Sequence, residues 1–214
     1  MNSARSTNLS SSTALRFFAK LQEAVAKIAY PEEDRLQRVE RVCGVDVAYS
    51  RRGTGAAAVV YDVAKAVAVE TVVKRFAGRQ GPYIPGFLFL REGPPLLETL
   101  SEVRSTFDVL LVDGHGRAHP RRCGIATLLG FVAGLASAGV AKSVLTGQLR
   151  PVEPHYELVV GGDVLGLSDG KTIYSQGYGI SFNDLRKIFT LFGGRYPEPL
   201  KMADKLSRKA VHKT

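Results

Sequence analysis

Cysteine, methionine, asparagine and glutamine are scarce in this chain, with two, two, three and five copies among 214 residues. Cys43 and Cys123 lie far apart, and no Cys or His accompanies either at zinc-finger spacing. Neither a structural zinc site nor a disulfide framework is indicated, and both read as buried thiols. Few labile residues is a thermophile's habit, a setting in which a Cys43–Cys123 disulfide stays open. No apolar run approaches the roughly 20 residues that cross a bilayer, and the first dozen residues lack the apolar core of a signal peptide. The expectation is a cytoplasmic protein with no membrane partner. His115 and His119 have no Ser or Cys beside them in a nucleophile motif, so covalent catalysis is not suggested. Acidic residues are outnumbered as well: 20 Asp and Glu face 29 Lys and Arg, a net charge of +9. That field attracts polyanions, and nucleic acid becomes the leading class of partner.

What is present suffices for one core. A chain of this length buries roughly 70% of its unfolded surface without help from disulfides or metal. Residues 1–12, rich in Ser and Asn, read as a flexible tail, and residues 13–214 as a single domain, expected to be monomeric. Leu15, Phe18, Leu21, Val25 and Ile28 recur every three or four positions, which predicts an amphipathic covering helix. β-prone segments at 41–49, 55–62 and 66–74, joined by short turns, predict an antiparallel meander. Residues 94–105 read as a helix with both prolines in its first turn, where no amide donor is missed. A buried strand follows at 108–113, then a core helix over 123–139, apolar on nearly every face, and a short strand at 143–145. A polar, Gly-rich strand region at 156–181, a helix at 183–192 and a basic helix from Leu200 onward complete the chain, with no internal repeats. The order β-β-β-α-β-α-β implies an α/β fold: a mixed central sheet, its antiparallel meander continued by parallel strands, flanked by helices. The layout resembles that of ribonuclease H-like proteins.

Three acids stand out. Asp46 interrupts the apolar run Val42-Cys43-Gly44-Val45-Asp46-Val47 on a strand expected to be central, and a buried carboxylate is costly without a cation or donors. Taken by itself it reads more simply as a hydrogen-bonded turn aspartate at a strand end. Asp113 ends Val109-Leu110-Leu111-Val112, so its carboxylate falls at the carboxyl edge of the sheet, where open α/β sheets place ligands. Glu92, in Arg91-Glu92-Gly93, is indistinguishable alone from a solvated loop residue. Mg²⁺ takes oxygen ligands and is commonly held by one or two carboxylates with water and substrate phosphate, and acids from separate elements meet that need. Lys142 can offer a positive charge to a phosphate or be a solvated helix-end lysine.

Several longer motifs bind these acids together. They are Gly44-Val45-Asp46-Val47-Ala48-Tyr49, Pro82-Tyr83-Ile84-Pro85-Gly86-Phe87-Leu88 running to Arg91-Glu92, Val112-Asp113-Gly114-His115-Gly116, His119-Pro120-Arg121-Arg122, Gly124-Ile125-Ala126, Ala141-Lys142-Ser143 and Arg195-Tyr196-Pro197-Glu198-Pro199. Over residues 15–206 the chain resembles the endonuclease V family. The resemblance implies a repair endonuclease that recognises deoxyinosine in DNA and hydrolyses the second phosphodiester bond on its 3′ side, leaving 3′-hydroxyl and 5′-phosphate ends. It implies Mg²⁺, with Mn²⁺ able to substitute, bound by Asp46, Glu92 and Asp113, and an active-site Lys142. Asp204 falls where the family has an Asp or His near the metal. Pro82, Tyr83, Ile84 and Pro85 match a strand-separating wedge whose inserted ring is Tyr83, unless that tyrosine is simply buried in its loop. Leu88, Gly114, Gly116, Gly124 and Ile125 match the pocket for the flipped base, where glycine amides and carbonyls would read hypoxanthine's O6 and N1–H. His119 is expected to contact phosphate or anchor its loop. Two rivals remain at this point: an inosine-specific endoribonuclease on the same scaffold, and a non-catalytic binder of damaged or branched nucleic acid.

Overall fold

The computed structural model describes residues 12–212 apart from 52 and 79. Residues 1–11 of the expected tail thus lie outside the described residues. After helix α1 (Ser12–Ala26) the meander forms: β1 (Arg41–Ser50), β2 (Gly53–Asp62) and β3 (Val67–Ala77) pair antiparallel in order. Helix α2 (Phe89–Leu100) leads to β4 (Val109–Asp113), which lies parallel to β1, and α3 (Ile125–Ala133) to β5 (Ser137–Ala141), parallel to β4. Strands β6 (Gln148–Val152), β7 (His155–Val160), β8 (Asp163–Ser168) and β9 (Ile173–Gln176) extend the sheet to nine strands in the order β3-β2-β1-β4-β5-β9-β8-β7-β6. Helices α4 (Phe182–Leu191) and α5 (Glu198–His212) complete the chain. The mixed ribonuclease H-like sheet is as expected, though the Gly-rich region at its far end resolves into a four-stranded antiparallel extension that begins before residue 156.

Period-two burial builds two cores from the same strands. Val42, Val109 and Leu111 pack with Leu185, Ile188 and Leu200 of α4 and α5, while Cys43, Val45, Leu110 and Val112 pack with Leu96, Ile125 and Leu129 of α2 and α3. Both cysteines are free and buried. No described helix is long and apolar enough to cross a membrane.

Three expectations need correction. The predicted helix at 94–105 starts five residues earlier, so Pro94 and Pro95 stand inside it. Pro95 cannot donate to the carbonyl of Arg91, which instead accepts from the Tyr49 hydroxyl at 3.3 Å. The core helix at 123–139 is two elements. Gly134, in the left-handed conformation, ends α3, and the small apolar residues after it form buried β5, so the strand precedes Lys142 and residues 143–145 are exposed loop. A short buried strand and a buried helix look alike in hydrophobic pattern. Finally, Leu21 and Ile28 of the α1 stripe face outward, and Gln22 is buried in their place. Its amide donates to the carbonyls of Cys123 (2.6 Å) and Gly86 (3.3 Å) and accepts from Arg121 Nε (2.7 Å).

Helix α4 starts with a reciprocal cap. Ser181 Oγ accepts from the Asp184 amide (2.9 Å), and the Asp184 carboxylate accepts from the Ser181 amide (3.2 Å). Ser181→Ala is expected to cost about 1 kcal/mol, roughly 2–4 °C in Tm for a chain this size. Thermal denaturation tests it, and an unchanged Tm would show the cap to be redundant.

Candidate active site and base pocket

The sheet splits where the acids meet. Val45 makes the last β1–β4 pair, so Asp46 projects just beyond it, Asp113 closes β4 beside it, and Glu92 arrives from the first turn of α2. With Asp204 of α5 they line one open cleft of about 630 Å³. Asp46 is 8% exposed. Burial pushes its carboxyl up to about 6, the Ser207 hydroxyl donating to Oδ2 (2.5 Å) opposes this, and the charges of Asp113 and Asp204 add to it. Burial, then the charges of Asp46 and Asp113, push Glu92 up to about 8. Glu92 is therefore a half-buried helix residue and not a solvated loop acid. Two cations answer the acids: Lys142 Nζ lies 2.9 Å from Asp113 Oδ2 and 4.3 Å from the centre of the Tyr196 ring, and Arg208 Nε lies 2.8 Å from Asp204 Oδ1.

Among the described residues no three His, Cys, Asp or Glu side chains close into a ready-made metal cage. Mg²⁺ asks for less, one or two carboxylates with water and phosphate, and carboxylates held against their ionisation by burial and then by neighbouring negative charge fit a hard divalent cation. The same shifts set a pH dependence. Glu92's folded pKa, about 8, lies above its ordinary 4.5, so the folded state holds the proton more tightly and stability falls as pH rises between those values. In chelator, Glu92→Gln should match wild type in Tm near pH 4.5 and exceed it increasingly up to about pH 8. A difference that did not change with pH would show that Glu92 is not held this way.

A second pocket of about 200 Å³ opens beside the cleft and shares Leu88, His115 and Ser143 with it. Its other walls include Tyr83, Gly86, Phe89, His119, Gly124 and Ile125. Tyr83 stands at 63% exposure, which removes the buried-loop reading. Pro82 and Pro85 are exposed and Ile84 half-buried beside it. The foot of this loop is fastened: Gly86, at φ +77°, gives its carbonyl to Arg121 Nη2 (2.5 Å) and to Gln22, and the Arg121 guanidinium lies 4.2 Å from the Phe87 ring centre. His119 is buried, accepts from the Arg121 amide through Nδ1 (3.2 Å), and is lowered to about 4 by burial and by Arg121, so it anchors the loop. Gly114 lines the acid cleft, whereas Gly116 is buried and lines neither cavity, its amide donating to Ser175 Oγ (2.9 Å). The amides of Gly114 and Gly124 are likewise spent, on the carbonyls of Val140 and Gly116.

Known proteins match this chain in sequence and in fold. The family model described as Endonuclease V matches residues 20–205. The chain belongs to the endonuclease V family. Endonuclease V of Sulfolobus acidocaldarius is 34% identical over 200 residues, covering 93% of this chain and 97% of that protein. The crystal structure of endonuclease V from Streptomyces avermitilis superposes with a TM-score of 0.80 at 31% identity, covering 91% of this chain and 92% of that one. Ciona intestinalis endonuclease V, in complex with a 24mer DNA containing an inosine followed by a ribo-adenosine, gives a TM-score of 0.79 at 27% identity over 92% of this chain and 97% of that one.

Endonuclease V is a nuclease family, and three further residues, Tyr196, Ser207 and Gln22, stand at this chain's cleft and pocket. Tyr196 lies in the motif Arg195-Tyr196-Pro197-Glu198-Pro199, and its ring underlies Lys142. Ser207 could have been picked out as the residue one helical turn beyond Asp204, on the same face. Gln22 gave no signal, since one polar side chain next to an apolar stripe looks like its solvent edge.

Proposed function

We propose that this protein nicks DNA at deoxyinosine, hydrolysing the second phosphodiester bond on the 3′ side. The observation that carries the reading is the adjacency of a base-sized pocket with an exposed Tyr83 at its wall to a cleft of four carboxylates, the two joined through Leu88, His115 and Ser143. The inosine-containing DNA bound by the Ciona relative supports it. With the three glycine amides spent, O6 of the flipped base falls to the amides of Leu88 and Ile125, at the N-termini of α2 and α3, which among the described residues make no hydrogen bond within the protein. Adenine has no oxygen to offer them.

Asp46, Glu92 and Asp113, with Asp204 beside them, would hold Mg²⁺ or Mn²⁺, which when bound supplies an activated water and counter-charge for the leaving 3′ oxygen. Lys142, released from Asp113, presents its ammonium to the scissile phosphate. Tyr196 keeps that ammonium over its ring.

A labelled duplex with one deoxyinosine, incubated with Mg²⁺, tests the proposal. The expected product is a single nick with 3′-hydroxyl and 5′-phosphate ends, and cutting of undamaged duplex at the same rate would overturn it. A matched strand with ribonucleotides at and after the lesion distinguishes the inosine-specific ribonuclease: a strong preference for that strand transfers the reading from DNA to RNA.

A further inference from the structure

The C-terminal helix reaches the acids because two strands give way to it. A Cβ on Gly44 of β1 would lie 2.7 Å from the carbonyl carbon of Pro199, and one on Gly55 of β2 would lie 2.3 Å from the Ser207 carbonyl oxygen. Without those atoms α5 settles directly onto the meander, and Ala203 packs on Ala57 and Val59 between the two contacts. Ser207 is fully buried there, and its short side chain reaches Asp46 Oδ2 at 2.5 Å.

This hydroxyl has two acceptors and one hydrogen. Its other neighbour is the Asp204 carbonyl one turn back, at 3.0 Å, the usual partner of a helical serine. A carboxylate is the stronger acceptor, so the hydrogen goes to Asp46 when that group is charged. We infer that Ser207 is a positioning residue that fixes the Asp46 carboxylate by Oδ2, leaving Oδ1 as its cleft-facing atom, and so sets the affinity of the site for a divalent cation. The inference rests on the proposal that Asp46 is a metal ligand. Groups that hold a ligating side chain in place commonly contribute 10–100-fold to metal affinity.

The test is Mn²⁺ binding by titration calorimetry on the full chain without nucleic acid, for wild type, Ser207→Ala, Ser207→Thr and Asp46→Asn, with Tm for each. Expected are a Kd for Mn²⁺ about 10–100-fold weaker in Ser207→Ala, recovery in Ser207→Thr, and nicking by Ser207→Ala restored by raised metal with affinity for lesion DNA unchanged. If Ser207→Ala fails to fold, the near-isosteric Ser207→Cys, a weak donor, should show the same weakened binding. Mn²⁺ affinity at the wild-type level in a folded Ser207→Ala or Ser207→Cys overturns the inference. If Asp46→Asn also binds Mn²⁺ as wild type does, the metal-ligand reading of Asp46 falls with it; if only the Ser207 variants are unaffected, that reading stands and Ser207's role is structural.

Discussion

Asp46→Asn and Asp113→Asn should each lower strand cleavage by about 10³-fold or more, because the proposed nucleophile is a metal-held water whose activation is worth several kcal/mol. The substitution keeps the shape of the side chain and an oxygen for Ser207 to donate to at Asp46. It also removes a charge that burial disfavours, so Asp46→Asn should melt no lower than wild type at neutral pH. Binding of deoxyinosine DNA should survive, since the base pocket is lined by other residues. Ca²⁺, larger and less demanding of octahedral order, should support that binding with little hydrolysis. Single-turnover cleavage, calorimetric melting and binding in Ca²⁺ together separate lost chemistry from lost folding. Turnover within about tenfold of wild type by either variant at saturating Mg²⁺ would remove that acid from the reaction.

Tyr83→Ala should weaken recognition of deoxyinosine in paired duplex by about 1–3 kcal/mol, the range for a base stacked on an aromatic ring, or roughly 10–100-fold. The ring is exposed on a loop whose foot Gln22 and Arg121 fasten, so it is presented in place at little entropic cost. The loss should shrink for a mispaired lesion and again for a single strand, where less unstacking work remains for the ring to offset. Tm should not move. Cleavage of the three substrates beside a melting curve checks this: an equal loss on all three with a lowered Tm would make Tyr83 a structural residue.

The order of strands and helices through β5, the central place of β1, the burial of β4, and the acids Asp46 and Asp113 were legible in the chain, because alternation, turn residues and a carboxylate inside or ending an apolar run are local signals. Local signals also misled. Residues 123–139 are apolar throughout, and only packing decides that Gly134 divides a helix from a strand. Pro94 and Pro95 suggest a helix start, yet the Tyr49 hydroxyl, 42 residues away, satisfies the carbonyl that Pro95 leaves. Glu92 alone carries no mark of function; burial against Asp46 and Asp113 is what raises its carboxyl to about 8. Gln22, Tyr196 and Ser207 belong to the site through contacts across the chain: Gln22 at Gly86, Tyr196 under Lys142, Ser207 on Asp46. The sequence by itself determined which elements form and which carboxylates sit at strand ends. Tertiary structure decided how those carboxylates share one cleft, since their charges couple only over the few ångströms that the split between β1 and β4 and the close seat of α5 allow.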